Sequence, residues 1–148
     1  MILPKDFKEF VQLLIKNNAE YIIVGGYAVG IHGYPRYTGD LDIWISPTNN
    51  NAKKILKVVH EFGFSSYGLK VEDFTREGNI IQLGYPPLRI DLLTQIDGVE
   101  FKDCYDKSEK IKIDDITINI ISYDDLIVNK KSSGRHKDLD DLENLEKE

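Results

Sequence analysis

The sequence predicts an α/β fold of the α+β type, in which a mixed β-sheet is flanked by helices. Two observations lead to this prediction: strands and helices alternate in the first half of the chain, and two strand pairs joined by short turns follow in the second half. The 148 residues, of which 41% are hydrophobic and 30% charged, fit one globular domain spanning residues 1–148. We expect C-terminal helices at about 123–148 to pack on its core.

The first third of the chain predicts the order helix, strand, helix, strand. The apolar residues that recur at intervals of three and four, typical of an amphipathic helix, are Phe7, Phe10, Val11, Leu14 and Ile15. The apolar run Tyr21–Val24 predicts a buried strand, and a helix should follow from about Tyr27 to His32. The alternating segment Leu41–Ile45 predicts a second strand.

The remaining elements follow from the same two periodicities, with glycine, proline and aspartate marking the turns. They are a helix at Asn51–Phe62, strands at Ile80–Leu83, Leu88–Leu93, Ile111–Ile113 and Ile116–Ile120, and helices at Tyr123–Lys131 and His136–Leu145. The turn Gly84–Pro87 should join the first two of these strands in a hairpin.

Composition excludes several classes of protein. Charged residues interrupt the apolar N-terminal stretch, so neither a signal peptide nor a membrane span is expected, and a cytoplasmic location follows. One cysteine cannot form an internal disulfide or a cysteine-rich zinc site. The net charge of −6 argues against a broad nucleic-acid-binding surface, although a local basic cleft remains compatible with it.

Gly25 and Gly26 leave the first predicted strand and open the next helix. Two glycines let the backbone approach a bound phosphate closely, and the first helical amides then offer unpaired N–H donors. The alternative is that they serve packing alone. The segment has neither the Gly-Lys-Ser/Thr ending of a P-loop nor the spacing of a dinucleotide-binding loop.

Asp40 and Asp42 lie on the same face of the second predicted strand, together with Trp44, which we expect to wall the pocket. Strand geometry places the two carboxylates about 7 Å apart. Their repulsion favours a divalent cation between them, and magnesium suits a site completed by substrate phosphates. The alternative is that Asp40 caps the strand and Asp42 faces solvent.

Asp91 is a third carboxylate, inside the apolar predicted strand Leu88–Leu93, where an unpaired charge is costly. On a neighbouring strand it can complete the metal-ligand set and take the proton from an attacking hydroxyl. The alternative is a salt bridge from Asp91 to Arg89 or to another base.

Further residues are candidates for phosphate contacts: Arg36, Thr38, Lys130, Arg135 and Lys137. The first two precede Asp40, where the alternative is an ordinary surface loop. The other three belong to a cationic segment, where the alternative is a solvated helix end. Asp138 and Asp141, three residues apart on one helix face, can orient these bases through ion pairs.

The order Ile23-Val24-Gly25-Gly26, thirteen residues, Asp40-Leu41-Asp42-Ile43 and later Asp91 resembles the DNA polymerase β-like nucleotidyltransferase superfamily. Two further segments, Arg36–Asp42 and Gly134–Leu142, are similar to motifs of its small branch that includes AbiEii-type toxins of type IV toxin–antitoxin systems. Antibiotic nucleotidyltransferases share a similar arrangement.

The resemblance implies the polymerase β-like fold and an enzyme that moves a nucleoside monophosphate from an NTP, such as ATP, to a hydroxyl acceptor. Gly25 and Gly26 would hold the triphosphate, while Asp40 and Asp42 would bind two Mg²⁺ ions, with Mn²⁺ as an alternative ion. Asp91 would bind one metal and act as the base. The acceptor can be tRNA or other RNA, a protein or a small molecule, and a cognate antitoxin is a candidate partner. The alternatives are a non-catalytic nucleotide-binding or regulatory module and an antibiotic-modifying enzyme.

Overall fold

The computed structural model describes residues 3–35 and 38–146. Its strands are β1 (Tyr21–Val24), β2 (Asp40–Ile45), β3 (Ile80–Tyr85), β4 (Leu88–Leu93), β5 (Glu109–Ile113) and β6 (Ile116–Ile120). Its helices are α1 (Lys5–Lys16), α2 (Gly25–Ile31), α3 (Asn49–Glu61), α4 (Phe101–Lys107), α5 (Tyr123–Ser133) and α6 (His136–Leu145). Two short 3-10 helices lie at Ser65–Tyr67 and Val71–Phe74.

The six strands form one mixed sheet in the order β3-β4-β2-β1-β6-β5. At its centre, β2 pairs antiparallel with β1 and parallel with β4. The other neighbour of β1 is β6, which runs parallel to it. The hairpins β3-β4 and β5-β6 form the two flanks of the sheet. The predicted mixed sheet flanked by helices is therefore confirmed.

Hydrogen bonds from backbone amides to side-chain hydroxyls mark the starts of α3 and α5, and a glycine marks the end of α5. On α3, the Thr48 hydroxyl accepts a hydrogen bond from the Asn51 amide at 3.2 Å, and on α5 the Ser122 hydroxyl accepts one from the Asp125 amide at 3.2 Å. Gly134 ends α5 in a left-handed conformation with φ of 62°. This turn allows α6 to start two residues later and to pack against α5.

The hydrophobic core lies around the central strands. All four residues of β1 are buried, and α1 contributes the buried side chains Phe7, Phe10, Val11 and Leu14. Trp44 of β2 is 1% exposed and packs edge-on against Phe101 of α4, with ring centroids 5.2 Å apart. The expectation that Trp44 walls a pocket is therefore wrong, because α4 covers its ring.

Sequence periodicity predicted all six strands and five of the helices of the described chain. It placed the start of α2 two residues late, and it missed α4. The seven residues of α4 bury only Phe101 and Cys104, which is too short a pattern to recognise. Among the described residues, no helix is both long and apolar enough to cross a membrane.

Candidate active site

The three predicted carboxylates meet on the central strands. The register pairs Asp42 of β2 with Asp91 of the parallel strand β4 and pairs Asp40 with Arg89. Cross-strand partners project from the same face of a sheet, and neighbouring strands lie about 4.8 Å apart. Asp40, Asp42 and Asp91 therefore form one acidic group, although they come from distant segments of the sequence.

Arg89 lies within this acidic group. Its Nε and Nη2 atoms donate to the two carboxylate oxygens of Asp91 at 2.7 and 3.0 Å, and Nη2 also donates to Asp40 Oδ2 at 3.1 Å. The salt bridge from Asp91 to Arg89, left open by the sequence, is thus present. One guanidinium offsets part of the charge of two carboxylates.

Asp42 has a different environment, since on its other side it pairs with Val24 of β1. Burial raises the pKa of its carboxyl group to about 6, and the charges of Asp91 and Asp40 add to the rise. Lys137 and Lys130 oppose it. A carboxylate crowded in this way gains stability from any additional cation that reaches it.

The two glycines after β1 give the acidic group its space. Gly25 has a φ of +67°, and a side chain there would overlap the Asp42 carboxylate. A methyl group on Gly26 would lie 2.6 Å from Thr38 Oγ1. Thr38 in turn donates a hydrogen bond to the backbone oxygen of Asp40 at 3.3 Å. Both glycines therefore have a packing reason, which the sequence had left open as the alternative to phosphate binding.

A cleft of about 580 Å³ opens beside Asp42, a volume typical of small-molecule sites. One wall is the end of β1 with Gly25 and Gly26, and a second is the loop from Gln95 to Asp97. The third comes from α5 and α6 and includes Lys130, Ser133, Arg135, Lys137 and Asp138. Asn129 Nδ2 donates to the Asp97 backbone oxygen at 2.9 Å and ties the loop to α5.

An ion-pair network holds the basic residues of the third wall, which we call the basic wall, in place. Lys130 Nζ lies 2.8 Å from Asp138 Oδ1 and 3.1 Å from Asp141 Oδ2, and Arg135 Nε donates to Asp138 Oδ2 at 2.7 Å. Burial opposes the charge of Asp138, but hydrogen bonds from Lys130, Ser133 and Arg135 outweigh it and lower the pKa of Asp138 to about 2. The predicted ion pairs between these acids and bases are present.

Residues 5–146 match the model of a protein family described as "Nucleotidyltransferase of unknown function (DUF6036)". The chain belongs to this family. Several solved structures have a fold similar to that of this nucleotidyltransferase. No curated protein matches its sequence.

Two of these structures cover nearly the whole nucleotidyltransferase chain. The lincosamide antibiotic adenylyltransferase LnuA, bound to lincomycin, is 14% identical with a TM-score of 0.59, and the match covers 99% of this chain and 98% of LnuA. TM1012 of Thermotoga maritima, described provisionally as a nucleotidyltransferase, is 14% identical with a TM-score of 0.65, covering 97% and 93%. At this identity the likeness establishes the fold.

The structure brings most of the predicted site residues of this nucleotidyltransferase together. Those that line the cleft are Gly25, Gly26, Asp42, Lys130, Arg135 and Lys137. Asp91 adjoins it through its strand pairing with Asp42, Asp40 lies two residues before Asp42 on β2, and Thr38 packs on Gly26. Arg36 lies outside the described residues. The Lys130 ammonium is already engaged by two carboxylates, so Arg135 and Lys137 are the more accessible cations, both with exposed side chains.

Within the described part of the chain, no three acidic, histidine or cysteine side chains are arranged as a ready metal-binding cluster. The chemistry of the acidic group nevertheless fits a divalent cation, because it offers carboxylate oxygens. Burial, together with the charges of Asp91 and Asp40, raises the pKa of Asp42, and a cation would oppose that rise. Sequence reasoning considered Arg89 only as a partner of Asp91. The alternation Arg89-Ile90-Asp91 already placed both side chains on one strand face.

Proposed function

We propose that this protein transfers a nucleoside monophosphate from an NTP to a hydroxyl acceptor. The observation that carries the proposal is the convergence of Asp40, Asp42 and Asp91 beside a cleft lined by Gly25 and Gly26. The same cleft is lined by Arg135 and Lys137, whose charges suit a triphosphate. Family membership supports the nucleotidyltransferase class.

Divalent cations, Mg²⁺ or Mn²⁺, belong to this proposal, with two ions as the expected number. Asp40, Asp42 and Asp91 would hold them, since each offers carboxylate oxygens on one strand face. When bound, such ions would neutralise charge on the reacting phosphate and on the leaving pyrophosphate.

The chain's own residues would perform the remaining tasks. The backbone at Gly25 and Gly26 would hold the triphosphate. Arg135 and Lys137, in the wall formed by α5 and α6, would neutralise its charge. Arg36 and Thr38, just before β2, would contact phosphate oxygens. Asp91 would take the proton of the acceptor hydroxyl as its oxygen attacks the α-phosphorus and pyrophosphate leaves. Lys130, fixed by Asp138 and Asp141, would keep α5 and α6 in place around the nucleotide.

Three classes of acceptor fit this chemistry: RNA such as tRNA, a protein, or a small molecule. The fold shared with LnuA, a lincosamide adenylyltransferase, favours including lincosamides among the acceptors tested. Aminoglycosides are included because antibiotic nucleotidyltransferases share a similar arrangement of motifs. The motifs resembling AbiEii-type toxins support a second setting, in which the enzyme is one component of a toxin–antitoxin pair. Co-expression with the product of an adjacent gene, followed by a growth assay, tests that setting.

The direct test incubates the purified protein with each radiolabelled NTP, magnesium, and in turn total RNA, total protein and the two antibiotic classes. We expect label transfer to one acceptor, reduced on the order of 100-fold or more in Asp42→Asn. Asp115→Asn is the matched control, because Asp115 is an exposed turn residue whose positive φ suits asparagine. Absence of label transfer together with absence of calorimetric NTP–magnesium binding would contradict the proposal. Binding without transfer would favour the regulatory module.

A further inference from the structure

Arg89 binds to the acidic group but has no role in the function proposed above. It lies on β4, two residues before Asp91 and opposite Asp40 in the strand register. Its guanidinium makes three hydrogen bonds of 2.7 to 3.1 Å to these two carboxylates. The side chain of Arg89 is 22% exposed and that of Asp91 is 11% exposed, so water weakens the contacts between these two little, whereas Asp40 is 40% exposed and its contact with Arg89 is more screened.

We propose that Arg89 is a positioning residue that competes with the divalent cation for the carboxylates of Asp40 and Asp91. The proposal rests on the function proposed above. A guanidinium bound to both oxygens of Asp91 and to one of Asp40 engages three of the oxygens that a metal ion would need. Two cations cannot occupy that position together.

The arrangement of the described carboxylates agrees with this competition. They lie on adjacent strands, yet no three acidic side chains in the described segments form a ready metal-binding cluster. Arg89 holds Asp40 and Asp91 toward itself, and the carboxylates must leave it before they converge on a metal. In the absence of metal, the ion pair with Arg89 thus reduces the repulsion between Asp40 and Asp91. The same ion pair lowers the affinity of these carboxylates for a metal ion.

The exchange also implies an order of binding. A free metal ion must displace Arg89 without compensation, whereas a metal ion that arrives with a triphosphate brings anionic oxygens that can accept the released guanidinium. We therefore expect Mn²⁺ alone to bind weakly and Mn²⁺ to bind more tightly in the presence of NTP. Replacement of Arg89 should reduce this difference.

The experiment measures Mn²⁺ binding from the free-ion electron paramagnetic resonance signal, with and without a non-hydrolysable ATP analogue. Without nucleotide, we expect Arg89→Gln to bind Mn²⁺ about tenfold more tightly than wild type, because the ion no longer has to displace a guanidinium. The size is at the lower end of the changes seen for residues that contact metal ligands, whose loss ordinarily weakens binding. Arg89→Lys should be intermediate, because an ammonium cannot form the bidentate pair. Arg76→Gln, at an exposed position in the loop before β3, is the matched control.

Two further measurements keep the outcomes distinct. Asp91→Asn should abolish the binding in every background, which shows that the ion occupies the acidic group. Circular dichroism establishes that each variant is folded, and Arg89→Lys replaces Arg89→Gln if the latter is not. Equal or weaker Mn²⁺ binding by the folded Arg89 variants overturns the competition. Absence of Mn²⁺ binding by wild type and by every variant, with nucleotide present, instead overturns the proposed function.

Discussion

Three charged side chains are buried between α5 and α6: those of Lys130, Asp138 and Asp141. The side chains of the lysine and the two aspartates are 6%, 3% and 0% exposed. Burial of a charge costs several kcal/mol unless a partner and hydrogen bonds compensate, and removal of one partner then leaves an uncompensated charge. The network therefore fixes how α6 packs beside the cleft, and it is sensitive to single substitutions.

Asp138→Asn should lower the free energy of unfolding by about 2 kcal/mol at pH 7. The pKa of Asp138 is about 2 in the folded protein, against an ordinary value of 3.8, and each pKa unit corresponds to about 1.4 kcal/mol. Because the folded pKa is lowered, this stabilisation is complete above the unfolded pKa and is lost as the pH falls from about 4 through 2. Urea unfolding of wild type and variant at pH 2–7 measures it.

The control for this prediction is Asp115→Asn, which removes an exposed carboxylate of a turn. Its unfolding free energy should stay within about 0.5 kcal/mol of wild type. The difference between wild type and Asp138→Asn should shrink toward zero near pH 2. A difference that stays constant from pH 7 to pH 2 would show that the ionised carboxylate is not the source of the stability.

At the level of single residues, the sequence indicated which side chains belong to the site better than it indicated their contacts. Asp40 and Asp42 were expected on one strand face with Asp91 on a neighbouring strand, and the register of β2 and β4 pairs Asp42 with Asp91. The contacts of Lys130 depend on how α6 packs against α5, which no local pattern encodes. The choice between a metal and Arg89 as the partner of Asp91 likewise depends on side-chain geometry.

Among the secondary-structure elements, the junction of β1 and α2 is the most constrained part of the cleft. Gly25 has a positive φ and lies against the Asp42 carboxylate, so an added side chain would meet two separate penalties. Left-handed backbone costs a non-glycine residue about 1 kcal/mol. The overlap would also displace the carboxylate of Asp42, a proposed metal ligand.

Gly25→Ala and Gly68→Ala separate these two penalties. Gly68 has nearly the same φ, +66° against +67°, but no atom lies within 4 Å of its would-be methyl group. We expect Gly68→Ala to lose about 1 kcal/mol of stability and to keep full nucleotide transfer. Gly25→Ala should lose more stability and at least about 90% of the transfer activity, since a misplacement of 1 Å can cost about 100-fold.

Thermal unfolding and the label-transfer assay provide the two measurements for this pair. The expected pattern is a shared loss of stability and a loss of activity confined to Gly25→Ala. If both variants lose activity to the same extent, backbone strain alone accounts for the glycine at position 25, and its contact with Asp42 is not needed for transfer.

Elements with a continuous or alternating apolar pattern were more predictable than elements with few apolar contacts. The strands β1 and β2 were recognised because continuous or alternating apolar residues leave few other structures available. By contrast, α4 has one turn of apolar contact, and its Phe101 packs against Trp44 of β2, a residue distant in the sequence. The loop from Gln95 to Asp97, which lines the cleft, is held by Asn129 and has no signal in the sequence.

For the whole molecule, we expect the chain to unfold as one cooperative unit. The buried hydrophobic cluster extends from Leu3 to Leu145 and includes residues of α1, α6 and the central strands. Trp44, the single tryptophan of the sequence, lies within this cluster and reports its integrity. Urea transitions followed by Trp44 fluorescence and by far-ultraviolet circular dichroism should therefore coincide.

Additional probes sharpen this prediction. Near-ultraviolet circular dichroism reports aromatic packing throughout the molecule, including the edge-on pair of Phe10 and Phe62 between α1 and the end of α3. Its midpoint should match the other two. A fluorescence transition that precedes the loss of helical signal would instead reveal two folding units and would contradict the expectation of a single domain at 1–148.

The strand order also determines when the centre of the protein can close during synthesis on the ribosome. β1 lies between β2 and β6, and Ile23 pairs with Ile120, so one edge of β1 has no partner until the second hairpin has been translated. An uncovered apolar strand edge invites pairing with other chains. The nascent protein therefore carries an aggregation-prone segment, Tyr21–Val24, through most of its translation, and chaperones that bind extended apolar segments should act on it there.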